Sequence, residues 1–271
     1  MADSRALKTA EAHGRLWGAK ARDWAELQEP FFLHVYEAVF DRVGLAGGMR
    51  YLDVGCGAGL AAVLAARCGA KISGIDAAAD MLAIARERVP DGDFRLGDVE
   101  ELPFPDRSFD VVTGFNSFQF AGSPEVALRE ACRVAKPSGV VVIVTWARPE
   151  GMPAALIVYA LKPLLPPVPR GAPGPFALSD EALLRSIAER AGLAPFDAFE
   201  IDAPWSYPDH ATALRALASP GGAVKAAELA GAAAVDRAHA EAIAPFRASD
   251  GSYRVETLFR CLFTRPAMSA R

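Results

Sequence analysis

The middle of the chain alternates short apolar runs with helical patterns, and this alternation restricts the fold more than any other feature. The apolar runs, rich in Val and Ile, cover 51–54, 71–75, 93–96, 109–113 and 140–146. Segments with helical spacing lie between them, at 58–68, 79–89 and 124–135. Strands that alternate with helices of this length predict βαβ units, a mostly parallel sheet, and right-handed crossovers that place helices on both faces.

Composition excludes several other classes of protein. The chain has 271 residues, 52% of them hydrophobic and 23% charged, which predicts a globular protein of one large domain or a domain with a cap. Its formal net charge of −4 speaks against a nucleic-acid-binding surface. No segment reaches the roughly 20 apolar residues that span a bilayer, and the first residues lack a signal-peptide core. Four scattered cysteines predict free thiols and a cytoplasmic location, and no cluster of side chains has metal-ligand spacing.

Three regions are predicted along the chain. Residues 1–44 form N-terminal helices that act as a lid or cap, and residues 45–150 form the core. Residues 151–271 contain a Pro-rich segment, complete the sheet and carry a helical insertion at 206–250. In this last region the predicted strands are 196–205 and 253–263, and the predicted helices are 209–218 and 224–244. Apolar stripes on the N-terminal helices leave two interpretations open, a lid or a homodimer surface.

A glycine-rich turn lies where the first strand passes into the first core helix. Gly55, Gly57 and Gly59 alternate with other residues, and Asp53 precedes them in the strand. Glycines let the backbone turn sharply and let a ligand approach closely, and the following helix N-terminus offers free N–H groups. The third glycine comes one position early for the dinucleotide fingerprint GxGxxG. The spacing therefore indicates nucleotide binding but speaks against a standard NAD site.

Two carboxylates follow at the ends of the next two strands. Asp76 lies about twenty residues after Gly57, where an acid at the end of the second strand can reach ribose hydroxyls. Asp98 follows the third strand, and its carboxylate can accept a hydrogen bond from an adenine amine. Open α/β sheets bind ligands at the carboxyl ends of their strands, so these motifs predict a single binding site.

Together these motifs resemble a class I S-adenosylmethionine-dependent methyltransferase over about residues 45–147. The resemblance also rests on the run LPFPDRSFDVV at 102–112, with RVAKPSG behind it at 133–139. That pair of runs is similar to the small-molecule branch, which includes the ubiquinone and menaquinone biosynthesis methyltransferases. The resemblance implies a Rossmann-like α/β fold with a seven-stranded sheet, mostly parallel with an antiparallel last strand, for which 253–263 is the candidate. It also implies transfer of a methyl group to a small molecule by direct displacement, with S-adenosylhomocysteine as the product.

The resemblance further implies a role for each matching residue along S-adenosylmethionine. The glycines Gly55, Gly57 and Gly59 would line its methionine part, with Asp53 at the amino end. The ribose would be held by Asp76, the adenine would contact Ala77, Met81, Asp98 and Val99, and the sulfonium would face Asn116.

The acceptor pocket and the general base are predicted from the regions around the core. The N-terminal helices, the 150–178 segment and the 206–250 insertion are expected to form the pocket, with Phe115, Phe118, Phe120 and Trp146 as its apolar wall. Such a wall favours a planar or lipophilic acceptor. His210 is the preferred base because it begins the insertion beside Trp205 and Tyr207. His13 is expected at the surface, and Trp17 and Trp24 are expected to pack rather than contact a ligand.

Three alternatives stay open on the sequence alone. A nucleic-acid methyltransferase is disfavoured by the acidic balance and by Phe115-Asn116-Ser117-Phe118, which lacks the Asn/Asp-Pro-Pro-aromatic motif of amino-methylating DNA enzymes. The second alternative is a protein methyltransferase. The third is a non-catalytic protein that binds S-adenosylmethionine, which Asp53, Asp76 and Asp98 alone do not distinguish from an enzyme.

Overall fold

The computed structural model describes residues 9–169 and 171–267, and in it a central sheet is covered by helices on both faces. The strands are β1 (Arg50–Val54), β2 (Lys71–Asp76), β3 (Asp93–Leu96), β4 (Phe109–Phe115), β5 (Ala135–Trp146), β6 (Leu193–Asp202), β7 (Trp205–Tyr207), β8 (Tyr253–Val255) and β9 (Leu258–Pro266). The α-helices are α1 (Ala10–Gly18), α2 (Ala21–Asp23), α3 (Leu33–Val43), α4 (Leu60–Arg67), α5 (Ala79–Arg88), α6 (Pro124–Val134), α7 (Pro153–Ala160), α8 (Glu181–Arg190), α9 (His210–Leu217), α10 (Gly221–Ala230) and α11 (Ala232–Ile243). A π-helical turn, Trp24–Gln28, follows α2, and 3-10 turns lie at Glu29–Phe32, Phe118–Phe120, Lys162–Leu164 and Ala244–Phe246.

The main sheet has seven strands in the order β3-β2-β1-β4-β5-β9-β6. Every neighbouring pair from β3 to β5 is parallel, whereas β9 runs antiparallel to both β5 and β6. This confirms the predicted Rossmann-like sheet with an antiparallel last strand. Strands β2 and β3 lie on one side of β1, whereas β4 and β5 lie on the other side, so the strand order reverses at β1 and β4. Open α/β sheets form a ligand crevice at such a reversal.

Two apolar cores form because the side chains of a strand point alternately to opposite faces. In β4, Val111 belongs to the core under α3 and α4, whereas the adjacent Val112 belongs to the core under α6 and α8. Val142 and Ile143 divide between the two cores in the same way. Strands that are buried on both faces must be apolar throughout, which explains the continuous apolar runs of the sequence.

Side-chain caps fix where two of the helices begin. Ser123 accepts a hydrogen bond from the Val126 amide at 3.4 Å and Pro124 occupies the first turn, so α6 starts where its sequence predicts. In α8 the cap is Asp180, because its carboxylate accepts from the Leu183 amide at 2.9 Å. The preceding Ser179 is also of the capping type, so the sequence alone leaves this helix start uncertain by one residue.

The last region differs from its prediction at three points. The predicted helix 224–244 is two helices, α10 and α11, because Gly231 between them has a φ of 88°. The predicted strand 253–263 is divided into β8 and β9, and the predicted strand 196–205 is divided between β6 and β7. At both divisions the chain leaves the main sheet. The two short connections lie side by side, because the Ala203 amide, between β6 and β7, donates to the Thr257 carbonyl, between β8 and β9, at 3.1 Å.

The strands β7 and β8 form a separate two-stranded antiparallel ribbon, in which Trp205 pairs with Val255 and Tyr207 with Tyr253. Helices α9, α10 and α11 lie in the connection between β7 and β8.

The division of the chain into 1–44, 45–150 and 151–271 stays a prediction, and residues 1–8, 170 and 268–271 lie outside the described residues. The first residues, on which the prediction about a signal peptide rests, are among them. None of the described helices combines the length and the apolar character that crossing a membrane requires.

Candidate active site

A cavity opens at the carboxyl ends of β1, β2, β3 and β4, beneath helix α1. The residues that line it are Thr9, Ala10, His13, Trp17, Trp24, Gly55, Gly57, Asp76, Ala77, Met81, Asp98, Val99, Phe115, Asn116, Ser117, Phe120 and Ala121. Most of the residues predicted to hold a cofactor are therefore brought together by the fold: Gly55, Gly57, Asp76, Ala77, Met81, Asp98, Val99 and Asn116.

The glycine loop reaches the cavity because two of its members adopt left-handed backbone. Gly55 has a φ of 75° and Gly57 a φ of 51°, a conformation that side chains with a Cβ seldom adopt. The Gly55 and Cys56 amides donate to the Ile75 carbonyl at 2.8 and 3.0 Å, which ties the loop to β2. The loop thus exposes its backbone to the cavity while staying anchored to the neighbouring strand.

The Asp76 carboxylate joins the glycine loop to the start of α5. One oxygen accepts from the Gly57 amide and the other from the Ala78 amide, each at 2.8 Å. Burial raises the pKa of Asp76, and the backbone hydrogen bonds oppose that rise. The carboxylate therefore keeps the loop in shape and also forms part of the cavity wall.

Asp98 forms the wall of the cavity beyond β3. One of its carboxylate oxygens accepts from the Glu100 amide at 2.9 Å, which closes a turn after the strand. Val99 lines the cavity beside it. Both predicted carboxylates, Asp76 and Asp98, thus face one space, as the order of the strands requires.

Asp53 and Gly59, also predicted to contact the cofactor, do not line the cavity. Asp53 is buried under the loop, where it accepts from the Thr113 hydroxyl at 2.9 Å, and burial raises its pKa to about 7. At Gly59, which has a φ of 82°, a Cβ would lie 2.8 Å from the Cβ of Ala85. Asp53 therefore joins β1 to β4, and Gly59 allows α4 to pack closely on α5.

The N-terminus of α4 is occupied by a side chain of the protein itself. Glu29 is buried, and its carboxylate accepts from the Leu60 amide at 3.2 Å and pairs with Arg88. Arg88 also donates to the carbonyls of Ala58 at 2.9 Å and Ala25 at 3.0 Å. Dinucleotide-binding folds place a pyrophosphate at this helix N-terminus, so an internal carboxylate here opposes a ligand of that kind.

Trp17 of α1 and Trp24 of the π-helical turn, which were expected to pack rather than contact a ligand, form an aromatic roof over the cavity with Phe120 of the predicted wall. Trp17 and Trp24 contact each other edge to face with ring centroids 5.0 Å apart, and Phe120 lies 5.8 Å from Trp17 and 5.7 Å from His13. His13 is half-buried in the cavity wall rather than at the surface, and burial lowers its pKa. The available signal was helical spacing, since His13 lies one turn before Trp17 on the same face.

A strained turn after β4 closes the far end of the cavity. Asn116 has a φ of 53°, and its side-chain oxygen accepts from the Gln119 amide group at 3.0 Å. The Ser117 hydroxyl and the Gln119 side-chain oxygen are buried without a hydrogen-bond partner among the described residues. Buried polar groups without partners are rare in folded proteins, so this turn is a candidate for contact with a ligand.

His210 lies away from the cavity. It begins α9 at the surface, and its Nδ1 is 3.1 Å from the Tyr253 hydroxyl. Of the predicted apolar wall, Phe115 and Phe120 line the cavity, whereas Phe118 is fully buried and Trp146 packs on Phe259 with centroids 4.9 Å apart. The structure therefore gives His210 no place in the cavity.

Known methyltransferases are similar to part of this chain. Residues 52–143 match the family described as a methyltransferase domain. A demethylmenaquinone methyltransferase from Renibacterium salmoninarum is 39% identical over 111 residues, which are 41% of this chain and 47% of that protein. The chain thus spans about half the length of the relative it matches.

Solved structures share the fold over most of the chain. The YcgJ protein from Bacillus subtilis is 24% identical with a TM-score of 0.59, and the match covers 86% of this chain and 98% of that one. The [4+2]-cyclase SpnF is also 24% identical, with a TM-score of 0.57 over 87% of this chain and 80% of its own. Since one fold carries differently named activities, the reaction must be argued from the site. The matched domain, the order of the sheet and the glycine loop at its carboxyl edge support a class I S-adenosylmethionine-dependent methyltransferase.

Proposed function

We propose that this protein transfers a methyl group from S-adenosylmethionine to a small-molecule acceptor. The observation that supports this most is the convergence of the glycine loop, Asp76, Asp98 and Asn116 on one cavity. A protein that only binds the cofactor would need the glycine loop, Asp76 and Asp98, but not Asn116. The aromatic roof and the polar turn after β4 give the same cavity a second end, where an acceptor can meet the cofactor.

The residues present fit an adenosine group. Carboxylates accept hydrogen bonds, so Asp76 would hold the ribose hydroxyls and Asp98 the adenine amine, with the Val99 backbone beside it. Ala77 and Met81 offer apolar surface for the faces of the ring. The backbone at Gly55 and Gly57 would lie against the methionine part, where side chains would block access.

S-adenosylmethionine supplies a methyl group already activated by a positively charged sulfur. The task left to the chain is to align the acceptor behind that methyl group and to exclude water, and alignment alone contributes about 7–11 kcal/mol in favourable cases. Trp17, Trp24 and Phe120 would exclude water, and aromatic faces also attract a cation. Asn116 would face the sulfonium from the end of β4. His210 lies outside the cavity, so we do not propose it as the general base.

The acceptor is proposed to be planar or lipophilic. Its side of the cavity is formed by Phe115, Phe120, Trp17 and Trp24, and the polar groups there are few. The Renibacterium relative is named for demethylmenaquinone, which supports an acceptor of that class here. The predicted contribution of the 206–250 insertion is indirect, since the described insertion supplies no lining residue and its Gly221 packs behind Trp17.

Two rival ligand classes have opposing observations. The Glu29 carboxylate already accepts from the Leu60 amide at the start of α4, so that amide is not available to a pyrophosphate, which opposes NAD. The formal charge of −4 opposes nucleic acid. We further propose a cytoplasmic location, which the free thiols of all four cysteines support. A homodimer stays a prediction.

Calorimetric titration and a methyl-transfer assay test the proposal together. Wild-type protein is titrated with S-adenosylmethionine, S-adenosylhomocysteine and NAD, and is then assayed with radiolabelled methyl donor over a set of acceptors that includes demethylated quinones. We expect binding of the first two ligands only, and transfer to a planar or lipophilic acceptor. Asp76→Asn should weaken S-adenosylhomocysteine binding about tenfold or more, because the amide loses both the charge and one acceptor atom.

Asp91→Asn is the matched control, since Asp91 is exposed and lies outside the lining of the cavity. Its affinity should equal that of the wild type. Absence of heat with both sulfur ligands would overturn the whole proposal. Binding without transfer to any acceptor would leave a non-catalytic binding protein instead.

A further inference from the structure

Gly221 lies where the insertion at 206–250 meets the aromatic roof of the cavity. It is buried in the first turn of α10, and a Cβ there would lie 2.9 Å from both Cδ1 and Nε1 of Trp17. The indole of Trp17 thus rests directly on the backbone of this glycine. Trp17 lines the cavity whereas Gly221 does not, so the glycine acts on the cavity only through that ring.

The backbone does not require a glycine at this position. Gly221 is helical, and its φ is outside the left-handed region that favours glycine. In a helix, glycine is less stable than alanine because it loses more backbone freedom on folding. At the adjacent Gly222, no atom of the described residues lies within 4 Å of a Cβ, so α10 could accept a side chain there. The contact with Trp17 therefore explains why position 221 has no side chain.

Further contacts from the insertion hold the roof from behind. The buried Tyr207 hydroxyl donates to the side-chain oxygen of Gln28 at 2.8 Å, and Arg215 pairs with Asp23 at 2.5 Å. These two contacts flank Trp24, the second tryptophan of the roof, at the start and the end of its π-helical turn. The insertion thus supports both tryptophans, although the described insertion supplies no lining residue.

A side chain at position 221 would move the roof toward the cavity. To reach the roughly 3.5 Å of ordinary carbon contact, the indole of Trp17 would have to move by about 0.6 Å. An indole is a rigid plane, so it moves as a whole, and its neighbours are the rings of Trp24 and Phe120, with centroids 5.0 and 5.8 Å away. The movement would narrow the space in which a planar acceptor is proposed to bind.

We propose that Gly221 is a specificity-determining residue, which sets through Trp17 the width of the acceptor that the cavity admits. This inference rests on the proposed function and assigns the control of acceptor size to the insertion. Gly221 is a positioning residue in this role, because it touches the indole and not the acceptor. A substitution at this position should therefore affect a wide planar ligand more than a narrow one.

Two planar phenols of different width test the inference on protein saturated with S-adenosylhomocysteine. Phenol has one ring and 2-naphthol has two fused rings, and calorimetry measures the affinity for each. Gly221→Ala should weaken the binding of 2-naphthol about tenfold, as expected when a filled contact is overpacked. The affinity for phenol should equal that of the wild type, because the narrower ligand does not need the space that the indole takes.

Gly222→Ala is the matched control, since it adds the same methyl group to the same helix where no described residue is in contact. It should bind both phenols as the wild type does. In Trp17→Leu protein, the further change Gly221→Ala should leave both affinities unchanged, because leucine lacks the flat ring and can rotate away from the new methyl group. Thermal unfolding of each variant shows that it is folded.

The outcomes separate this inference from the proposed function. If the wild type does not bind S-adenosylhomocysteine, the proposed function fails first. If it binds that compound but takes up neither phenol, or if Gly221→Ala binds 2-naphthol as well as the wild type does, the inference alone is wrong. Equal weakening for both phenols would show a general distortion of the cavity and would also overturn it. The same holds if Gly221→Ala fails to fold both alone and with Trp17→Leu, since the glycine would then serve another contact.

Discussion

At the scale of single residues, Asp53 supports the fold in a way that depends on pH. Its carboxyl is buried, and its pKa is about 7 compared with an ordinary value of 3.8, so the folded protein holds this proton more tightly than the unfolded chain. The protonated Asp53 carboxyl makes its full contribution to the free energy of unfolding at a pH below its ordinary pKa of 3.8. This contribution is lost as the pH rises through 7. Its full size is roughly 4 kcal/mol.

We therefore expect Asp53→Asn to be more stable than the wild type at pH 8, with the difference disappearing near pH 4. Urea unfolding of both proteins between pH 4 and 8 measures it. Burial lowers the pKa of His239 to about 4, which makes stability fall as the pH drops, but this affects both proteins and cancels in the difference. A constant difference across the range, as for exposed Asp91→Asn, would contradict the role assigned to Asp53.

The sequence predicts most residues of the site because strand ends in a parallel sheet converge. Asp76 and Asp98 could be placed from their positions after β2 and β3 alone. Asp53 was predicted at the amino end of the cofactor but does not line the cavity, because a residue inside a strand next to the loop can point either into the cavity or beneath it. His13 was missed because its contact depends on how α1 docks, which local sequence does not encode.

At the scale of elements, α1 reaches the cavity through a close contact between backbones. A Cβ at Gly14 would overlap the carbonyl oxygen of Ala77, in the loop between β2 and α5. The Arg15–Glu228 ion pair fastens the other side of α1 to α10. The helix is therefore held between the wall of the cavity and the insertion.

Gly14→Ala should displace α1, because the Ala77 carbonyl belongs to the backbone and yields little. We expect weaker binding of S-adenosylhomocysteine and a lower melting temperature, measured by calorimetry and thermal unfolding. Gly222→Ala in α10 is the control, since nothing lies within 4 Å of a Cβ there. It should stabilise the protein by about 0.4–1 kcal/mol through the unfolded chain and leave affinity unchanged. Normal affinity in Gly14→Ala would show that α1 is not fixed at this contact.

The regular elements follow from the sequence where pattern and caps agree. The strands of the parallel half and α6 could be predicted because their apolar runs are buried on both sides and Ser123 and Pro124 mark a helix start. The division between β8 and β9 could not, because the strand-like alternation of buried and exposed residues continues through 253–257 while the partner strand changes. Such a change of sheet depends on the distant pairing of Ala203 with Thr257.

At the scale of the whole molecule, the cavity is built from two parts of the chain that are distant in sequence. The core supplies the carboxylates, and α1 supplies His13 and Trp17. A ligand that contacts both parts would stabilise the packing of α1 on the core, because ligand binding favours the state that binds it over locally opened states.

Hydrogen exchange should detect this coupling. With saturating S-adenosylhomocysteine, the amides of α1 should exchange more slowly, whereas those of α8, which packs in the core on the other face of the sheet, should be unchanged. Mass spectrometry of peptides from the two helices measures the contrast. Equal slowing in both helices would indicate a general stabilisation, and no slowing in α1 would contradict its contact with the ligand.

The ribbon of β7 and β8 has a consequence for how this protein can diversify. Because the chain departs at Tyr207 and returns at the paired Tyr253, the three helices between them begin and end at one place on the scaffold. They also pack on α1, where Gly221 contacts Trp17 and Glu228 pairs with Arg15. Lengthening or shortening this module would therefore alter the cavity by moving α1, and not by exchanging lining residues.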